Sequence, residues 1–166
     1  MKKLFLAMAV AFISATSFAQ ENNVTSKKVG FSIGAELASP VGDLKNVSNF
    51  GFGGTLQGEY MASDMFGITL NTGYINYFSK YDNGRSVGQI PILAGARYYF
   101  IKDIYVSGQL GVSIIKVKGF DSESGFSYAP GIGIKVSVID LTLKYLGTSL
   151  DGGNTSNVGL RVAVNF

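Results

Sequence analysis

Beyond residue 19, apolar side chains recur at every second position in eight separate stretches: 29–37, 52–60, 66–74, 90–100, 104–114, 128–138, 141–145 and 158–166. Together these series hold 41 positions without one charged residue. A period of two is the repeat of a β-strand, whose side chains alternate between the two faces of a sheet. Nothing after residue 19 approaches the roughly 18 consecutive apolar residues that a membrane-crossing helix needs. The chain therefore has to bury, or otherwise shelter, one uncharged face of an extended β-structure.

The intervening positions decide where that face points. They carry Ser32, Thr55, Gln57, Asn71, Gln109 and Thr142, eleven glycines, and six charges: Glu36, Glu59, Arg97, Lys135, Lys144 and Arg161. The charge density of this face is about half of the 25–35% usual for a surface in water. A polar, sparsely charged, glycine-crowded face suits a narrow interior, and the uncharged apolar face then meets lipid. The reading is all-β: an eight-stranded antiparallel up-and-down transmembrane β-barrel, apolar outside and polar within. A soluble lipocalin-like barrel would need the 41 apolar positions inside instead.

The connections carry the same message. Longer polar ones are expected at 40–49, 79–86, 118–125 and 149–157, and tight ones at 62–65, 101–103 and 139–140. Short periplasmic turns alternating with longer outer loops are the habit of such barrels. Phe31, Tyr60, Phe66, Tyr98, Phe100 and Phe166 are placed in a periplasmic aromatic girdle, and Phe52, Tyr74, Phe78, Tyr128 and Tyr145 in an outer one. Pro91 and Pro130 are placed near the outer rim, where a missing ladder donor costs least.

The N-terminus reads as a targeting segment. Lys2 and Lys3 precede ten unbroken apolar residues, 4–13, and Ser17-Phe18-Ala19 offers small residues at the positions signal peptidase requires. The expected organisation is a signal peptide over 1–19, a short tail over 20–27 and a barrel over 28–166. Removing Lys2 and Lys3 lowers the formal charge from +3 to +1. The residual charge is too small for a nucleic-acid partner.

At this point the chain resembles the small outer-membrane β-barrel family of the OmpA/OmpX transmembrane type. More closely it is similar to the outer membrane protein beta-barrel domain, PorT-like group. The likeness lies in the signal segment and in three stretches: Gly53-Gly54-Thr55-Leu56-Gln57-Gly58-Glu59-Tyr60, the run Ile90-Pro91-Ile92-Leu93-Ala94-Gly95-Ala96-Arg97-Tyr98-Tyr99-Phe100, and Gly159-Leu160-Arg161-Val162-Ala163-Val164-Asn165-Phe166. It implies fold and an outer-membrane location after export. It permits a role in a secretion machine without supporting one. Its C-terminal aromatic strand implies that Phe166 is an assembly signal read by the outer-membrane insertion machinery.

Chemistry is sparse. With no Cys and no His, cysteine nucleophiles, lipoprotein anchoring, thiolate metal sites and the commonest general base are excluded. A Ser–Lys pairing of Ser137 with Lys135 or Lys144 would lie inside the barrel, away from substrate. Asp151-Gly152-Gly153-Asn154 lacks the carboxylates a calcium ion demands and reads as a turn. Lys116 and Lys118, at the outer end of the fifth strand, suit lipopolysaccharide headgroups. No enzyme activity, metal or cofactor is expected. The expected role is a non-enzymatic, monomeric outer-membrane barrel serving envelope integrity or surface interaction through its outer loops, with outer-membrane lipid and lipopolysaccharide as partners. A narrow solute channel is the alternative.

The six interior charges should pair, because an isolated charge in a narrow lumen costs several kcal/mol. Closure sets the first strand beside the eighth, so Glu36 is expected to face Arg161, with Lys144 one strand further round. Glu59 is expected to meet Arg97 across the lumen, with Lys135 nearby. Two bases would remain in surplus.

Overall fold

A computed structural model of the protein describes residues 29–80, 86–117 and 122–166. The expected signal peptide and tail, together with Lys118, lie outside the described residues. Eight strands are formed among those described: β1 (Val29–Val41), β2 (Ser48–Ser63), β3 (Phe66–Ser79), β4 (Val87–Ile101), β5 (Ile104–Val117), β6 (Glu123–Val136), β7 (Ile139–Leu150) and β8 (Gly153–Asn165). One helical turn, α1 (Leu44–Val47), lies between β1 and β2.

Each strand pairs antiparallel with the next, and β1 pairs with β8 to close the barrel. Closure leaves no strand edge without partners. The register pairs from Phe31 through Gly58, Leu70, Ala94, Leu110, Tyr128, Gly147 and Ser156 return to β1 at Val41, ten residues beyond the start. That stagger is the shear that tilts the strands and, with their number, sets the barrel's width.

The alternation read from the sequence maps onto the two sides of the wall. Leu70 is 61% exposed and Leu110 58% exposed on the outside. Glu36 and Asp140, facing inward, are 0% exposed. The aromatic residues assigned to girdles all face outward, with Tyr145 half-buried. Tyr128 and Tyr145, however, lie nearer the middle of β6 and β7 than their ends, with their rings 5.9 Å apart.

The connections differ in two places from the expectation. Turns at 64–65, 102–103 and 137–138 are two residues long, as short turns should be, but the third lies two residues before 139–140. Ser137 takes the positive φ of 55° at its first position, a conformation usually given to glycine in this hairpin turn. At the other end, 42–47, 80–86 and 118–122 are longer, whereas 151–152 is a two-residue turn. The expected long loop at 149–157 is instead mostly strand, because β7 and β8 go on pairing up to Leu150 and Gly153. The two ends are called here the turn end and the loop end.

Pro91 and Pro130 each leave a mark on the ladder. Pairing of β3 with β4 lapses between Thr72 and Ile75, opposite Pro91. Pairing of β6 with β7 lapses between Tyr128 and Gly131, around Pro130. Proline has no N–H to donate, so the ladder skips on one side while Pro91 stays registered with Ser113, and Pro130 with Gly108, on the other. Pro130 is eighth of fourteen residues in β6, mid-strand rather than at the rim.

Candidate functional site in the barrel lumen

The lumen is where the inward halves of the eight strands converge, and it is divided into zones. The zone nearer the turn end is ionic. Arg97 on β4 reaches Asp140 on β7 at 2.8 Å and Glu59 on β2 at 3.5 Å. Lys135 on β6 also approaches Glu59, at 3.4 Å, and is half-buried at the mouth. Arg161 on β8 lies 3.5 Å from Asp140, and it donates to Thr55 at 2.8 Å and Ser32 at 2.6 Å. Two tyrosines complete the cluster. Tyr99 donates to Glu59 at 2.7 Å, Tyr105 donates to Asp140, and the Arg97 guanidinium sits 4.2 Å over the Tyr105 ring. Charges removed from water in this way are tolerable because each meets an opposite charge and further hydrogen bonds.

A second ion pair lies one step toward the loop end. Lys144 Nζ stands 2.9 Å from Glu36, both side chains being buried. Beside these groups, Gln109 donates to Thr69 at 3.0 Å, and Asn71 donates to Gln57 at 3.3 Å.

Further toward the loop end the lumen turns apolar. Ala38, Ile75, Tyr77, Leu93, Ala129 and Leu146 form one buried cluster, and Leu44 of the α1 turn is packed into it from above. The Tyr77 ring lies against Gly51, where an added Cβ would stand 2.7 Å from its Cδ1. Only the absence of a side chain at Gly51 lets the ring lie against the wall. Polar groups at this level are tied to one another. Asn157 donates to Tyr77, Tyr77 to Gln89, and Gln89 to Thr148, at 2.6, 2.8 and 3.1 Å. Ser127 bridges Thr148 and Ser113.

All six charges singled out from the sequence face inward. Glu59, Arg97 and Lys135 are brought together as expected. Glu36 and Arg161 are direct register partners across the β1–β8 seam. Their side chains nevertheless part: Glu36 joins Lys144, and Arg161 turns to Asp140, Ser32 and Thr55. The reason is Asp140, a lumen acid that the sequence reading placed in a turn. With it the described lumen charges number three acids and four bases, so one base is in surplus rather than two. Its parity with Thr142 and Lys144, and the unexplained excess of bases, were the signals that pointed to it. The apolar zone was missed as well, since Ile75, Leu93 and Leu146 sit on the face read as polar.

The remaining candidates are scattered. Ser137 is exposed in its turn, so it is not the buried partner of Lys135 or Lys144 that a Ser–Lys pairing requires. Asp151 and Gly152 form the exposed β7–β8 turn. Lys116 is exposed on the outer side of the wall near the loop end of β5. Phe166 is 67% exposed, and its backbone N–H donates to Phe31 at 2.8 Å across the seam.

Several solved structures share this architecture. The attachment invasion locus protein Ail of Yersinia pestis is 15% identical over 83% of this chain and 97% of its own, with a TM-score of 0.63. The N-terminal beta-barrel domain of Pseudomonas aeruginosa OprF is 14% identical over 82% and 97%, with a TM-score of 0.58. Neisserial surface protein A is 16% identical over 84% and 98%, with a TM-score of 0.55. No curated protein matches the chain in sequence. The family model for the outer membrane protein beta-barrel domain matches residues 5–166. An eight-stranded barrel, apolar outside and polar within, matched by that model over nearly its whole length, belongs to the outer membrane protein beta-barrel domain family and resides in the outer membrane.

Proposed function

We propose that this protein is a closed, non-enzymatic, monomeric barrel that supports the integrity of the outer membrane rather than passing solutes across it. One observation carries the reading: the lumen is occupied along its length by buried side chains committed to one another, from Glu59 and Arg97 to Leu44. Eight strands leave an interior just wide enough for side chains to fill. The connections at the loop end have seven residues at most, and two at 151–152, which is little material for a large surface-binding platform. Lipid and lipopolysaccharide are then its main neighbours.

The test is paired. Refolded protein in planar bilayers should give no stepwise conductance, and a strain lacking it should become more sensitive to detergents and bulky antibiotics. Regular conductance steps would overturn the reading in favour of a narrow channel. An unchanged envelope in the deletion strain would overturn the integrity role.

Phe166 is proposed as the signal that the insertion machinery reads. Its ring is exposed, and its backbone already closes the seam with Phe31. Removing Phe166 should reduce insertion in cells much more than refolding into detergent. Equal losses in both assays would reduce it to a packing residue.

A further inference from the structure

We propose that the lumen is shut by two barriers in series, built on different physics, and that neither controls passage alone. The inference rests on the closed-barrel reading above and deepens it.

The first barrier is electrostatic. Glu59, Arg97, Asp140 and Arg161 come from four different strands, and all are at least nine-tenths buried. They hold a crossbar of charge over the turn-end half of the lumen. A crossbar of this kind is made of groups that water can hydrate, so it weakens when its charges are removed, whereas salt screens such buried pairs little.

The second barrier is apolar. On each strand that supplies both, the apolar side chain lies on the loop-end side of the charged one. Ala38 follows Glu36 on rising β1, and Leu146 follows Lys144 on rising β7. Leu93 precedes Arg97 on descending β4, and Ala129 precedes Lys135 on descending β6. Ile75 and Tyr77 fill the same level from β3, and Leu44 closes it from the α1 turn. Tyr77, Gln89, Thr148, Ser127 and Ser113 at this level are bonded to one another, and Asn157 joins them through its amide N–H, its Oδ1 having no partner among the described residues. A constriction lined this way bars ions by excluding water, which needs no charge and does not respond to salt.

Resistances in series add. Weakening one barrier leaves the other limiting, so the two sets of residues should act together and not separately. The experiment measures potassium efflux from liposomes holding refolded protein. One variant weakens the crossbar, Arg97→Ser with Asp140→Ser, which leaves Glu59 with Lys135 and Arg161 with Ser32 and Thr55. Another weakens the belt, Leu93→Ser with Leu146→Ser. The third carries all four changes. Each pair alone should leave efflux within about twofold of the wild type, and the fourfold variant should raise it about tenfold or more.

Opening by either pair alone, to the level of the fourfold variant, would overturn the proposal. A folded fourfold variant that stays tight would overturn it too. Should serine prevent folding, alanine at the same four positions is read in the same way. Efflux through the wild type would instead defeat the closed-barrel reading itself, so the two failures are distinct.

Discussion

Leu70 and Asn71 are neighbours on β3. Leu70 projects outward with 61% of its surface exposed, and its surroundings are interchangeable lipid chains. Asn71 projects inward, is 1% exposed, and donates to one particular partner, Gln57. The outer face asks only that a residue be apolar; the inner face asks for a given group in a given place. Because the two alternate along every strand, stability and specificity are written into the same segments at successive positions.

That contrast can be broken at its strongest point first. Asp140→Ala removes the acid shared by Arg97 and Arg161 and leaves two buried cations without it. Breaking a buried pair from one side costs about 3–5 kcal/mol, so urea unfolding in lipid should show a loss of that order. A loss as small as that of an exposed position would mean that the lumen tolerates unpaired charge and the contrast is overstated.

Next in size is Leu70→Arg. A cation on the lipid face near mid-bilayer costs about 2–4 kcal/mol, read as a lower inserted fraction and a lower unfolding midpoint. Ile134→Arg should cost less, about 0–1 kcal/mol, since Ile134 is outward but only two residues from the turn end of β6, near the membrane interface. Harmless insertion of Leu70→Arg would contradict a lipid-facing exterior.

A smaller effect sharpens the inner face. Glu36→Ala and Lys144→Ala should each destabilise, and the double variant should cost less than the two losses together, by a coupling of about 0.5–3 kcal/mol. The same cycle with Arg161 in place of Lys144 should give the weaker coupling, since Arg161 spends its guanidinium on Asp140, Ser32 and Thr55. Equal couplings would mean that register, and not side-chain contact, sets the pairing. Smallest of all is Leu70→Val, expected within about 0.5 kcal/mol of the wild type. A larger loss would show that the outer face is shape-specific after all.

The sequence was most informative where a simple rule operates over many residues. Eight apolar series without a charge led to strand number, facing and closure, because every outward position repeats the same choice. The inner face was legible in kind and not in detail. The alignment of Glu36 with Arg161 followed from counting residues, but the choice of partner did not, since it depends on where long side chains can reach. Asp140 was lost through the turn. Neither Ser137 nor Val138 announces a reversal, and Ser137 takes a positive φ that glycine would have signalled. The apolar belt was lost for another reason: alternation separates inside from outside and is silent about Leu93 or Leu146 among polar neighbours on the inside.

The ten-residue stagger has a consequence for how such a chain can change. Strand number and stagger fix the bore, so each level of the lumen has a set volume to fill, whatever occupies it. A bulky group must therefore be answered by a small one. Tyr77 lies against Gly51, and Tyr105 stands where a side chain at Gly133 would be. On the outside, Tyr128 covers Gly147 in the same manner. Enlarging either member of a pair alone overfills its level, while trading a large and a small residue for two of middle size does not. Exchange at these positions therefore has to be compensated, one member of a large-and-small pair changing only as the other does, while the diameter stays the same.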